Sequence, residues 1–297
     1  MAALGVRSEP PLVVIVGPTA SGKTAVAIEL AGRFDGEIIC ADSRTIYKGM
    51  DVGTAKPSAK ERAAVPHWGL DLVEPGERFT AADFQRYAVA KIAEIRARGR
   101  VPFLVGGTGL YVDAVLFGYE FGPEATARRR QELEGWSLLQ LQEYCVKNNI
   151  KLPENSQNKR YVIRAIEQKG ISEKSKKQPI NTSIIVGIAT ERTLLRTRIA
   201  LRSEQLFTNG VVEEAKILGE KYGWKNEAMT GNIYPLVKKM QDEDITTAEL
   251  QAKNIVQDWR LAKRQLTWFR RNPHIVWATR LEAEHYISQK LAPDEGL

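Results

Sequence analysis

LVVIVGPTASGKT, residues 12–24, is a run of five apolar residues that passes straight into a glycine-rich turn. Leu12 to Val16 is rich in β-branched side chains and stops at Gly17, which predicts a buried strand. Thr24 to Arg33 then has helical spacing, with Val26, Ile28, Leu30 and Ala31 on one face, and Glu37 to Ala41 reads as a second strand. The three form a βαβ unit. Between the first strand and the helix, GPTASGKT fits G-x-x-x-x-G-K-[ST], in the context that motif requires. Gly17 and Gly22 let the backbone curl so that the N–H groups from Thr19, Ala20 and Ser21 onward point inward. The helix N-terminus contributes its positive dipole end, Lys23 a full charge, and the Thr24 hydroxyl a ligand for Mg²⁺. Such a loop holds a diphosphate or triphosphate.

Further along, Asp83 to Arg98 is a long amphipathic helix that leads through Gly99 into the strand Val101 to Val105, and Ile184 to Ala189 is a fourth strand after the polar stretch Ser172 to Ser183. From there the pattern is helical almost to the end, over Glu191 to Phe207, Val211 to Tyr222, Thr247 to Phe269 and Arg280 to Lys290. Strands alternating with helices, followed by a helical tail, predict an α/β fold: a P-loop NTPase-like, doubly wound parallel sheet with helical additions.

The 297 residues are 43% hydrophobic and 27% charged, the composition of a soluble globular protein. Only Cys40 and Cys145 are present, which excludes a disulfide framework. The opening MAALGVRSEPP has no signal-peptide core and no stretch approaches the ~20 apolar residues of a membrane helix, so a cytoplasmic location without membrane association is expected. The net charge of +7 is unevenly placed: residues 1–150 carry 18 basic and 18 acidic side chains, residues 151–297 carry 25 and 18. A neutral chemical core joined to a basic surface suits a partner rich in phosphates, and a solvated basic face accounts for it equally.

Asp42 follows the second strand and should lie at the carboxyl edge of the sheet close to the P-loop, on the argument that the first two strands of a βαβ unit are neighbours. It is a general base, a metal-binding carboxylate, or a cap for the segment Ser43-Arg44-Thr45-Ile46-Tyr47. The third strand runs into Gly106-Gly107-Thr108-Gly109 and carries no Asp at its end, which counts against a motor ATPase. His67, His274 and His285 have no metal-ligand spacing.

Six segments in order, GPTASGKT, DSRTIYKGMDVGTAKP (42–57), PHWGLDLVEP (66–75), LVGGTGLYVDAV (104–115), NKRYVIRAIE (158–167) and AKRQLTWFRR (262–271), resemble the tRNA dimethylallyltransferases, also called tRNA isopentenyltransferases. The resemblance implies transfer of a dimethylallyl group from dimethylallyl diphosphate to the exocyclic amine of the tRNA adenosine 3′ of the anticodon, with release of diphosphate. It implies Asp42 as the base that takes the amine proton, and Thr108 at the position that touches the reacting nucleotide. The donor diphosphate falls to Gly17, Thr19 through Thr24 and Arg202, with Mg²⁺ on Thr24. The anticodon stem-loop falls to Asp42, Ser43, Arg44 and Thr45 and to the basic helices carrying Arg160 with Arg164 and Lys263 with Arg264. Trp268 and Phe269 are contacts to a turned-out base or core residues.

The same resemblance divides the chain into a first part of the core (1–117), a short RNA-facing helical insertion (118–151) and the rest of the core with the basic helical part (152–297), working as a monomer. Departures are the shortness of the insertion, Asn232-Ile233-Tyr234-Pro235 where the family tends to show Ile-Gly-Tyr and a basic residue, Trp68 where a His is frequent, and no zinc finger of the eukaryotic kind. Alternative readings are a P-loop small-molecule kinase, with Arg128, Arg129 and Arg130 on a lid over ATP, and an adenylate isopentenyltransferase, which has little use for AKRQLTWFRR.

Overall fold

The computed structural model describes residues 9–122, 126–168, 178–180, 182–231, 233–243 and 245–292. The first eight residues of the opening segment, most of the stretch Ser172 to Ser183, and Asn232 lie outside them. The chain forms two compact units, residues 1–115 with 180–297, and residues 116–179.

The first unit is built on β1 (Leu12–Val16), α1 (Lys23–Arg33), β2 (Gly36–Cys40), α2 (Ala59–Ala64), β3 (His67–Trp68), α3 (Ala81–Ala97), β4 (Val101–Gly106) and α4 (Gly109–Phe117), whose last two residues already count to the second unit. The six strands, including β5 (Ser183–Ile188) and β6 (Val276–Ala278), are all parallel, in the order β3-β2-β4-β1-β5-β6. β1 is central, with Val14 opposite Leu104 on one side and Ile185 on the other, which is why all five of its residues are apolar and fully buried. Alternate residues pack on one face against Val26 and Leu30 of α1 and against Ala283 and Ile287 of the last helix, Arg280–Leu291.

β4 is inserted between β1 and β2, so the first two strands are not neighbours. The reasoning that placed Asp42 beside the P-loop by strand adjacency is corrected on this point. β3 and β6 were not predicted, because two and three residues are too short for any periodicity, and both take the sheet edges.

The second unit has α5 (Ala127–Gly135), α6 (Leu138–Lys147) and α7 (Lys159–Glu167), which bury Leu133, Leu141, Cys145, Val162, Ile163 and Ile166 together. It reaches past the expected limit at residue 151, because the apolar stripe of α7 is packed in this cluster. The first unit continues after β5 with α8 (Arg192–Thr208), α9 (Val211–Tyr222), α10 (Tyr234–Glu243), α11 (Thr247–Phe269) and α12 (Arg280–Leu291). Of the helices, α11 opens on a capping box between Thr246 and Glu249, the local signal that sets its start. No helix among the described residues is long and apolar enough to cross a membrane.

Candidate active site

The P-loop leaves β1 and enters α1 through Gly22, whose φ of 91° lies in the left-handed region that glycine adopts without strain. No side chain caps α1 at this end, which leaves its first-turn N–H groups for a ligand. Helices from elsewhere in the chain hold the loop. The Thr19 N–H donates to Gln265 Oε1 of α11 at 2.8 Å, Gln265 Nε2 donates to Gly107 O at 3.1 Å, and Arg198 Nη1 of α8 donates to Ser21 O at 3.1 Å. Gln265 therefore ties the P-loop to the Gly106–Gly109 turn, and a side chain at Gly107 would displace its amide.

A cavity of about 390 Å³ opens beside the loop, lined by Thr19, Lys23, Thr24, Asp42, Thr108 and Arg202 among others. Its charge is unusual for a protein interior. Neither Lys23 nor Arg202 forms an ion pair within the described residues; Lys23 Nζ is 3.4 Å from Pro18 O, and Arg202 donates to Thr19 Oγ1 at 2.6 Å and approaches Thr54 O at 3.5 Å. Arg202 Nε is buried with no hydrogen-bond partner among the described residues, as is Ser21 Oγ. Burial, and then the charge of Arg202, pull the Lys23 ammonium down to about 8, with Asp42 opposing them. Lys23, Arg44, Arg202 and Arg264 line the cavity against the carboxylates of Asp42 and Asp258, and this excess of cations is the electrostatic form of an anion site.

Of the three sequence readings of Asp42, the structure shows the cap. Its Oδ1 accepts the Arg44 N–H at 2.8 Å, which caps the turn, while Oδ2 has no hydrogen-bond partner among the described residues and the side chain lines the cavity. Thr108 Oγ1 accepts the Ser43 N–H at 3.0 Å and the Thr108 N–H donates to Ala41 O at 3.2 Å, so the two turns are locked together. Arg44 lines the cavity but has its guanidinium engaged by Glu227 O at 3.0 Å and Thr230 Oγ1 at 3.2 Å. Thr45 is 5% exposed and lines the same wall.

On α11, Arg264 lines the cavity while Lys263 is exposed beside it. Of the aromatic pair, Phe269 is buried, whereas Trp268 sits over Gly109 and donates from Nε1 to Asp113 Oδ2 at 2.9 Å. In the second unit, Arg160 is exposed on α7 and Arg164, one turn on, lies 3.6 Å from the buried Glu167, which Arg130 holds at 3.1 Å. Arg129 pairs with Glu132, so two of the three arginines of the kinase alternative have carboxylate partners. His67, read from sequence only as lacking metal-ligand spacing, lines the cavity; Nδ1 donates to Val65 O at 2.7 Å, Nε2 is buried without a partner among the described residues, and burial lowers its pKa. Gln265, inside AKRQLTWFRR, was given no role from sequence, since its two partners are remote along the chain.

Comparisons place this geometry. The sequence model of the family described as IPP transferase matches residues 45–272, and that of isopentenyl transferase matches residues 10–70. A tRNA dimethylallyltransferase of Roseiflexus sp. strain RS-1 is 40% identical over 282 residues, 90% of this chain and 92% of that protein, and one of Bacillus licheniformis is 37% identical over 293 residues, 91% of each. The crystal structure of the tRNA isopentenylpyrophosphate transferase of Bacillus halodurans superposes with a TM-score of 0.73 at 37% identity, covering 96% of this chain and 97% of that one. A eukaryotic dimethylallyltransferase acting on tRNA shares the fold, with a TM-score of 0.72 at 22% identity over 92% of this chain and 75% of its own. With a family model over most of its length and relatives of this identity across nine-tenths of it, the chain belongs to the IPP transferase family.

Proposed function

We propose that this chain transfers the dimethylallyl group of dimethylallyl diphosphate to the exocyclic amine of the tRNA adenosine 3′ of the anticodon, acting as a cytoplasmic monomer. The observation that carries the reading is the pair of cations Lys23 and Arg202, neither in an ion pair among the described residues, in one cavity with Asp42. The adenine amine is a weak nucleophile, because its lone pair is delocalised into the ring. As its nitrogen forms a bond to C1 of the donor, the C1–O bond breaks and its electron pair leaves with the diphosphate, into the field of Lys23, Arg202 and the α1 N-terminus. The amine proton passes to Asp42 Oδ2, the oxygen that the turn does not use. Thr108 keeps Asp42 in place by holding Ser43, and lies near the base.

The residues fit Mg²⁺. The Thr24 hydroxyl lines the cavity with no hydrogen-bond partner among the described residues, and as one hard oxygen it would hold an ion whose other positions go to water and substrate phosphates. When bound, the ion shares the charge of the leaving diphosphate. Arg264 and Lys263 supply phosphate contacts to the anticodon stem-loop from α11, and Arg160 from α7. Incubation with unmodified tRNA, dimethylallyl diphosphate and Mg²⁺ tests the reading: one adenosine should gain the mass of one isoprenoid unit, and transfer of a phosphoryl group from ATP instead would refute it.

A further inference from the structure

Glu214, in the first turn of α9, accepts three consecutive backbone N–H groups: from Asp51 at 2.8 Å and Val52 at 2.7 Å on Oε2, and from Gly53 at 2.8 Å on Oε1. The Tyr234 hydroxyl donates to Oε1 as well, at 2.9 Å. Three successive N–H groups turned to one side are a nest for an anion, and here the anion is a side chain of the same protein. The Asp51–Pro57 loop gains a second fastening at the buried Lys56, whose ammonium holds Tyr47 O, Asp51 and Asp71. At Gly53 a side chain would run into the Tyr234 ring, so loop and helices fit without spare room.

This loop is one wall of the cavity, which it lines with Gly53, Thr54, Ala55 and Pro57. With its N–H groups spent on Glu214, it turns the Thr54 carbonyl toward Arg202, 3.5 Å from Nη2. That carbonyl and Thr19 Oγ1 are the two acceptors that aim the guanidinium, whose Nε stays buried and unused. We propose that Glu214 is a positioning residue of the diphosphate site: by gathering the 51–53 amides it fixes the Thr54 carbonyl, and through it the direction in which Arg202 presents its free donors. The inference rests on the reading that Arg202 binds the donor diphosphate.

The test is a double-mutant cycle read by titration calorimetry with inorganic diphosphate. Glu214→Gln puts an amide N–H against the loop donors and should weaken diphosphate binding about tenfold, the cost of one misplaced charge-assisted contact, and raise the donor KM in proportion with little change in kcat. In the Arg202→Ala background the same change should cost less than about twofold, since nothing is left to aim. Tyr234→Phe, a milder loosening of the same carboxylate, should weaken binding two- to threefold in the parent and not in Arg202→Ala, and it carries the test if Glu214→Gln does not fold. Equal losses in both backgrounds, or a lowered melting temperature with unchanged diphosphate affinity, would overturn the positioning role. If Arg202→Ala alone left diphosphate affinity unchanged, the diphosphate reading of Arg202 would fall first.

Discussion

The P-loop cavity and α7 both collect basic side chains, and they do opposite things with them. In the cavity, Lys23 and Arg202 have no carboxylate partner among the described residues and burial lowers the lysine pKa. On α7, Arg164 approaches Glu167 within one turn of its own helix, and Arg130 closes on the same buried carboxylate. A cation that has closed an ion pair inside the protein is part of the scaffold; one that lines a cavity without an ion pair has donors free to meet a ligand. Counting charges in sequence does not separate the two, because the distinction lies in the partner.

The largest effect that would sharpen this contrast is catalytic. Asp42→Asn keeps the Arg44 cap acceptor but loses the proton acceptor, and the single-turnover rate should fall 10²- to 10⁴-fold with donor and tRNA binding retained. Loss of RNA affinity at an unchanged rate of the bound complex would break the base assignment.

Lys23 gives the next largest, through pH. Its folded pKa of about 8 lies below the ordinary 10.5, so the charged form is the penalised one. Between these values the unfolded chain holds a proton that the folded chain has released, and the lysine's contribution to stability rises with pH across that window. Anion affinity runs the other way: above pH 8 diphosphate binding should fall about tenfold per unit more steeply than in Lys23→Arg, whose guanidinium stays charged. Parallel pH profiles for the two proteins would refute the placement of Lys23 at the anion.

Smaller effects belong to α7. Arg164→Ala should lower the melting temperature slightly, through roughly 0.5 kcal/mol for a half-exposed ion pair, Arg130 still holding Glu167, and leave the salt dependence of tRNA binding as it was. Arg160→Ala should do the reverse: an unchanged melting temperature and a slope of log affinity against log salt shallower by roughly 0.7 to 0.9. A slope change from Arg164 equal to that from Arg160 would erase the distinction between paired and free arginines.

Much of the core was legible because its signals are local. The β1 run, the P-loop and α1 follow one another within 22 residues, from Leu12 to Arg33, and were read at their observed limits to within one residue. The insertion of β4 between β1 and β2 was not legible, since strand order is set by pairing across the chain and not by any segment of it. The same holds for the site. Lys23 announces itself in a motif, whereas the Gln265 bridge joins residues 246 apart, and the three amides on Glu214 are gathered by packing. Arg164 and Glu167 stood three apart on a helix in the sequence, and only burial of the carboxylate decides for the pair.

The most direct measurement titrates inorganic diphosphate into Lys23→Ala and Arg164→Ala side by side, each against the parent. Loss of the P-loop cation should weaken binding by one to two orders of magnitude, the worth of a strong charged contact, and loss of the ion-paired arginine should leave it within twofold. Comparable losses from both, or none from Lys23→Ala, would contradict the assignment of the P-loop cavity as the place where the leaving diphosphate is held.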